Sequence, residues 1–361
     1  MATGDFLQVY DLKITTASPL FIGDGRTILK NGYLHDPLEA RVTVFEDEKL
    51  FELLIKENKV DEYEQFMLGR QGSLAFFLKN ICHFIPEDWA FAVRYTVDAR
   101  NALDRGHSLK DIHTFIRDAY GRVYVPGSSV KGALRTVLLN QMILADSADR
   151  EEYNPRRFDV TLGVRYLHTL HIKKNKPSSL GNSIMRGIQI SDSASIPDTA
   201  MMLAMKSDAR VDGTFSAGRG IVCRESIRPG TKIHLKLTLD QSILKGRVTK
   251  DSILAAIRGF DTYYQATYAS HFVKPKDTAE VPYVNRLRLG GGSGFFSKSL
   301  VYPYLGEEKG MEVTAEMMQR NFRRHRHDKD IEKYHISPHT MEYAKYQGKY
   351  YPMGVCEVEI Q

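Results

Sequence analysis

Residues 231–239, TKIHLKLTL, alternate without a break: Ile233, Leu235, Leu237 and Leu239 take one face, and Lys232, His234, Lys236 and Thr238 take the other. Successive side chains of a strand point to opposite faces, so this stretch has to be a strand with one dry side and one wet side. Two more segments repeat the pattern. Near 7–16, Tyr10, Leu12 and Ile14 oppose Asp11 and Lys13; near 350–360, Cys356, Val358 and Ile360 oppose Glu357 and Glu359. A chain with three such strands must cover one face of a sheet with something apolar.

Helical stripes supply the cover. Val130, Leu134, Val137, Leu138 and Met142 follow helical spacing over about 129–145, with Ser128 or Ser129 as the expected N-cap. Ile253, Ala256, Ile257, Phe260 and Tyr264 do the same over about 249–269. Residues 219–227 read as the partner of 231–239. The link Arg228-Pro229-Gly230-Thr231 has Pro and Gly where a type II turn wants them, so a hairpin is expected. The resulting order is strand, helix, strand, strand, helix, strand. The predicted fold class is therefore α+β, with a ferredoxin-like βαββαβ core of the kind that RNA-recognition modules use.

Three long insertions interrupt this core, at about 17–128, 147–217 and 270–349. The first is expected to be helical over 46–120, where Leu74, Phe77, Leu78 and Ile81 keep helical spacing. Within it Ser108–Asp111 resembles a capping box, followed by a stripe of Leu109, Ile112, Phe115 and Ile116. KKNKPSSLGNS, at 173–183, reads as a polar, basic loop. At roughly 150 residues per domain, 361 residues allow two domains. The expected division is 1–240 and 241–361, as one fused core or with the second portion as a small separate domain.

Net charge is +6, a mild basic excess that suits a polyanionic partner if the cations cluster. Cys82, Cys223 and Cys356 are far apart and form no CxxC, which excludes a zinc ribbon or a thioredoxin-like motif. The N-terminus has no apolar signal-peptide core, and no apolar run is long enough to span a bilayer. A cytoplasmic protein with no membrane partner is expected.

Two stretches are candidates for binding an anion. In PGSSVKGALR, Ser128, Ser129, Lys131 and Arg135 crowd a helix start, where unsatisfied N–H groups and the helix dipole attract negative charge. In NRLRLGGGSGFFSKSL, the glycine-rich run Gly290, Gly291, Gly292, Ser293 and Gly294 is flanked by Arg286, Arg288, Lys298 and two phenylalanines, Phe295 and Phe296. Exposed loop N–H groups cradle phosphate, and a phenylalanine stacks on an unpaired base. Neither stretch has the spacing of a Walker or dinucleotide motif. A basic run, Arg323, Arg324, Arg326 and Lys329, is expected to be a solvated face unless the fold brings it beside the glycine loop. The pairs His325 with His327 and His168 with His171 lack zinc-site spacing, so no metal and no cofactor is expected. Asp24, His35 and Asp36 are candidate acid–base groups, yet loop carboxylates more often terminate turns.

Four of these segments in order carry a resemblance: SPLFIGDG after the first strand, VPGSSVKGALR at the first helix, RESIRPGTKIHLKL in the centre and LGGGSGF before the last strand. Together they resemble the RAMP superfamily of CRISPR-associated proteins. With HISPHTMEYAKYQGKYYPMGVCEVEI and the helical insertion, the chain is most similar to the fifth-subunit family of type III-A (Csm) effector complexes. The resemblance implies a subunit that binds single-stranded CRISPR RNA (crRNA) and caps the filament at the guide's 3′ end. It also implies contact with the backbone RAMP subunit and the small helical subunit, and a part in crRNA maturation through host nucleases rather than by cutting. No catalytic residue is expected on this reading. The runner-up is a metal-independent RAMP endoribonuclease built on Asp24, His35 and Asp36. A third reading is an enzyme that takes a small phosphorylated ligand at the glycine loop.

Overall fold

The structure is a computed structural model and describes residues 6–69, 72–102, 111–148, 152–216, 222–281 and 284–361. The strands in chain order are β1 (Leu7–Thr16), β2 (Gly23–Ile28), β3 (Tyr33–Asp36), β4 (Arg41–Phe45), β5 (Val93–Asp98), β6 (Ile112–Phe115), β7 (Ile188–Ile190), β8 (Met201–Arg210), β9 (Phe215–Ser216), β10 (Cys223–Ile227), β11 (Lys232–Asp240), β12 (Arg286–Arg288), β13 (Thr340–Tyr346), β14 (Lys349–Pro352) and β15 (Val355–Ile360). The first core helix is Gly127–Ala145 and the second is Lys250–Thr267.

One sheet runs β12-β15-β1-β11-β7 and is antiparallel throughout. Its centre is the β1–β11 ladder, from Leu7 opposite Asp240 to Thr15 opposite Lys232. The alternation read from the sequence sets its faces: Leu12, Ile14, Ile233, Leu235 and Leu237 are buried, while Asp11, Lys232, His234 and Lys236 are exposed. Two ion pairs lie across the wet face, Lys13–Glu359 at 2.7 Å and Lys236–Asp11 at 2.5 Å.

The second sheet follows β2-β6-β10-β8-β5-β4-β3, with β13 and β9 also on β8 and β14 on β13. β2 and β3 stand at the two ends of that path. A flat path of six strand spacings would hold them about 29 Å apart. Residues 29–32 alone connect them, and such a link spans at most about 18 Å. The sheet therefore curls back on itself. Most of the core is shared between the two sheets and the core helices: Val130, Leu134, Val137, Ile253, Ile257 and Phe260 pack with Leu12, Ile233, Phe115, Leu203 and Ile227. Each such side chain contributes roughly 1.5–3 kcal/mol by leaving water.

The hairpin expected around Pro229 and Gly230 is not formed. β10 pairs with β6 and β8, whereas β11 pairs with β1 and β7. The turn is there, with Gly230 at φ +85°, but it carries the chain from one sheet to the other. Gly230 N donates to Thr16 O at 2.6 Å, and Arg228 reaches Asp98 at 2.7 Å. The strand beside β11 is β7, from inside the stretch expected to be an insertion. β10 is buried on both faces, at Cys223, Glu225, Ser226 and Ile227, as an interior strand of the larger sheet must be. Residues 219–221 lie outside the described residues.

Helix does not run through 46–120 either. Helices Asp47–Lys56 and Val60–Leu68 and shorter turns end by Ala92, and the chain continues into β5 and β6. Ile112 and Phe115, expected on a helix, lie in β6 and pack into the shared core. Ser108, Leu109 and Lys110 lie outside the described residues. The helical part has a core of its own around Leu50, Leu54, Phe66, Phe77 and Trp89. Strands from the last third sit within sheets begun by the first part: β15 pairs with β1, and β13 with β8.

Candidate nucleic-acid interface

The first core helix begins at Gly127, with Pro126 as its N-cap, in place of the expected Ser128 or Ser129. Proline suits the position because its φ is already fixed and it has no N–H to satisfy. The first helical N–H is occupied from within: Gly127 N donates to Asp192 Oδ1 at 2.8 Å, and Val125 N donates to Ser193 Oγ at 2.9 Å. A Cβ at Gly127 would lie 2.2 Å from Ile190 O, so only glycine permits this contact with the strand end. The helix terminus itself is thus capped by the chain's own carboxylate.

Its side faces outward. Ser128, Lys131, Gly132 and Arg135 fall at i, i+3, i+4 and i+7, one stripe of the helix. Ser128 and Gly132 are exposed, and nothing lies within 4 Å of where a Gly132 Cβ would be. Ser129 is half-buried beside this stripe. Among the described residues Arg135 forms an ion pair with Asp159 alone, at 3.9 Å, and that carboxylate is largely exposed. Lys131 is half-buried, and desolvation pushes its pKa down; among the described residues it makes no ion pair. A partly dehydrated ammonium without a counter-charge favours an anion brought from outside.

The glycine loop follows β12 at the opposite edge of the same sheet, four strand spacings from β7, or roughly 19 Å. The two stretches therefore flank the sheet rather than form one pocket. Within the loop the glycines are mainly architectural. Gly290 has φ +76°, and a Cβ there would lie 2.1 Å from Phe21 O. Gly291 N donates to Phe21 O at 2.7 Å. At Gly292 a Cβ would come within 2.9 Å of Glu342 Oε1. Ser293 is buried, its Oγ donating to Gly290 O at 2.8 Å. Gly294 is the open member: it is exposed, and a Cβ there would have no neighbour within 4 Å.

Arg286 and Arg288 point inward, to Asp261 of the second core helix, at 2.9 and 2.7 Å. The Arg288 guanidinium also lies 3.5 Å over the Tyr264 ring. All three charged groups are buried, so the placement is that of an internal network. Phe296 is the core member of the phenylalanine pair, stacked on Tyr268 at 4.8 Å, and Phe295 is half-buried.

What stays open at this edge is a set of cations. Lys298 is exposed, its pKa pushed down by desolvation and then by Arg224. Arg224, on β10, pairs with Glu342 and lies 5.4 Å over Phe21. Lys206, on β8, reaches Asp208 at 3.3 Å and Glu342 at 4.0 Å. His325 is pushed below the usual imidazole range by desolvation and then by the charge of Lys206. His325, inside the basic run, thus feels the charge of Lys206, whose partner Glu342 lies beside Gly292. Lys206 and Arg224 escape a reading of the sequence, because neither sits in a cationic cluster along the chain: Arg224 lies between Cys223 and Glu225, and Lys206 between Met205 and Ser207.

Asp24 and Asp36 are bound up in local structure. Asp24 Oδ1 accepts from Thr114 Oγ1 at 2.6 Å and Arg26 N at 2.9 Å. Asp36 Oδ1 accepts from Leu38 N and Glu39 N, which end its own turn and hold its pKa down. His35 Nε2 is buried without a hydrogen-bond partner, and desolvation lowers its pKa. Among the described residues, no hydrogen bond joins these three groups. No helix among the described residues is long and apolar enough to cross a membrane.

Known proteins match this arrangement along the chain. It is 24% identical over 389 aligned positions to the CRISPR system Cms protein Csm5 of Mycobacterium tuberculosis, covering 99% of this chain and 98% of that one. It is 25% identical to the Csm5 of Streptococcus thermophilus, over 81% of this chain and 80% of the relative. In structure it is similar, with a TM-score of 0.63 and 18% identity, to a chain of a Csm–crRNA–target RNA ternary complex, covering 97% of this chain and 100% of that one. The crystal structure of T. onnurineus Csm5 matches at the same TM-score of 0.63, over 96% of this chain and 99% of the other. A model of the RAMP superfamily matches residues 13–245, the span from the last part of β1 through the first core helix to the end of β11, and the chain belongs to that superfamily.

Proposed function

We propose that this chain is the crRNA-binding, non-catalytic fifth-type subunit of a type III-A (Csm) CRISPR effector complex. It caps the filament at the guide's 3′ end, contacts the backbone RAMP subunit and the small helical subunit, and supports crRNA maturation in the cytoplasm. Near full-length similarity to proteins named Csm5, and to a chain from a crRNA-containing complex, supports the assignment. The observation that carries the RNA reading is Lys131, a half-buried ammonium with no ion pair among the described residues, on the open stripe with Ser128, Gly132 and Arg135. Binding there is led by the backbone, since phosphate contacts add affinity without demanding a sequence. Lys298, with Arg224, Lys206 and Phe295, is the second contact region, and Gly294 lets a ligand approach. Arg286, Arg288, Gly290, Gly291, Gly292 and Ser293 act from behind, by shaping that edge.

We also read the five-stranded sheet as a ferredoxin-like unit: β1, first core helix, β7, β11, second core helix and β15, in the spatial order β15-β1-β11-β7. The portions 1–240 and 241–361 then form one fused core.

The test is RNA binding by the folded Lys131→Ala/Arg135→Ala double variant. It should weaken binding across all spacer sequences and reduce the salt slope by about 0.7 for each single-strand phosphate that is no longer neutralised. An unchanged slope with an unchanged melting temperature rejects the role of the stripe. Incubation of the isolated chain with labelled repeat RNA in EDTA tests the endoribonuclease alternative; specific product would favour it over the non-catalytic reading.

A further inference from the structure

One buried cluster plays no part in the interface described above. Asp330 is fully buried, and two histidines close on it from either side. His327 Nδ1 lies 2.8 Å from Asp330 Oδ2, and His339 Nδ1 lies 2.6 Å from Asp330 Oδ1. Both rings are 3% exposed. The ring centroids are 4.6 Å apart, and Tyr334 stacks on His339 at 4.9 Å. Among the described residues no lysine or arginine pairs with Asp330; its ion-pair partners are the two imidazoles. Ser337 is fully buried next to it, close enough to lower the carboxyl's pKa, yet its Oγ makes no well-formed hydrogen bond.

A buried carboxylate needs a compensating positive charge. In their neutral form the two imidazoles supply hydrogen bonds but no charge. They do supply, with the carboxylate, the nitrogen and oxygen donors that suit zinc and its neighbours among the divalent transition metals. One donor atom from each of His327, Asp330 and His339 lies within 4.8 Å of the other two. Tetrahedral bonds of about 2.0–2.1 Å place ligand atoms about 3.3 Å apart, a spacing within the 4.8 Å that bounds these three donors. Ser337 Oγ offers a fourth oxygen.

We propose that His327, Asp330 and His339 bind one divalent transition-metal ion of the zinc class, and that this ion is structural. It would close the irregular segment 327–339, which follows left-handed Arg326 and reverses at left-handed His335, against the end of β8, where Val211 N, one residue past the strand, donates to His339 O at 3.3 Å. The ion enters with the ring protons carried on Nε2 and both Nδ1 lone pairs facing it. The sequence hides the site because its ligands are three and nine residues apart, and the HxxxH spacing of HISPH, 335–339, includes only one of them. The site stands apart from the RNA reading, and no RNA enters its test.

The experiment takes the untagged full chain, stripped with a chelator and dialysed against zinc, and measures zinc per chain by mass spectrometry and melting temperature with and without zinc. Wild type should hold one ion per chain and melt several degrees higher with zinc, reversibly with EDTA. His327→Asn and His339→Asn keep an N–H donor towards Asp330, so each should fold while losing the ion and the zinc-dependent shift. Cobalt substitution should give the visible absorption of a tetrahedral site in wild type alone. A stripped wild type that takes up no stoichiometric ion and shows no shift overturns the proposal. So does zinc binding that survives in both folded asparagine variants, which would put the ion elsewhere.

Discussion

Removing the Asp261 carboxylate is the sharpest test of whether Arg286 and Arg288 serve the fold or the RNA. The carboxylate is 7% exposed, and the arginines are 6% and 8% exposed. In Asp261→Ala, two adjacent guanidinium groups lose their counter-charge in a region they cannot leave without disturbing β12. Breaking a buried pair by deleting one partner costs about 3–5 kcal/mol, because the remaining charge stays desolvated. The cation–π contact of Arg288 with Tyr264 softens this, so about 4 kcal/mol is the expected loss. At roughly 2 °C per kcal/mol for a chain of this size, melting should fall by about 8 °C. The assay pairs thermal unfolding, followed by circular dichroism, with RNA titrations at several salt concentrations. On the structural reading, the salt slope stays at the wild-type value at temperatures where the variant is folded. Replacing all three residues by apolar ones of similar volume should recover much of the stability, as buried ion networks often allow. A melting temperature within about 2 °C of wild type, an effect of about 1 kcal/mol and at most a quarter of that expected, would refute the reasoning. So would Arg286→Ala/Arg288→Ala with intact stability and a salt slope reduced by about 1.4, the value for two phosphates left unneutralised.

Lys131→Met should leave stability equal to or above wild type, since it removes a desolvated ammonium, while RNA affinity falls; thermal melting and filter binding on one preparation separate the two effects. Gly290→Ala should cost more than about 3 kcal/mol, from the 2.1 Å approach to Phe21 O combined with positive φ, whereas Gly294→Ala, with positive φ but open space, should cost about 1 kcal/mol in urea unfolding. Burial pushes the Glu225 carboxyl up from 4.5, although it accepts from Tyr95 Oη at 2.7 Å and Phe115 N at 2.9 Å. A raised carboxyl pKa favours the folded state most below the unfolded value, and that contribution is lost as pH rises through the folded one. Glu225→Gln, which keeps the shape without the charge, should therefore gain on wild type as melting is measured from about pH 4.5 upward; a difference that is flat with pH would contradict the buried-acid assignment.

The parts of this fold that are legible in the sequence are those where a pattern acts through one face. β1, β11 and β15 and both core helices are written in period 2 or 3.6, and the same residues are buried in the structure, with Tyr10 and Met142 half-buried. What the pattern does not carry is the partner. Residues 223–227 and 232–240 are separated by an ideal turn, yet they part into different sheets, because alternation says which side of a strand is dry and nothing about which strand lies beside it. Ile112 and Phe115 are three apart, which suits a helix face, but in β6 one lies on each side, both buried, since an interior strand of a curled sheet is covered on both sides. The interface divides along the same line. Lys131 and Arg135 are legible because a helix places i and i+4 together whatever surrounds it. Arg286 and Arg288 share the composition of a phosphate site, but Asp261, which claims them, is 25 residues away from Arg286 in sequence and one hydrogen bond away in space. Lys206 and Arg224 reverse the case: they are 18 residues apart on different strands, and only the pairing of β8 with β10 and β13 brings them together around Glu342. Charge composition thus identifies which residues a polyanion would favour, and the counter-charges supplied by the fold decide which of them remain for it. On that criterion Lys131, with no carboxylate partner among the described residues, ranks above every arginine of the glycine-loop motif.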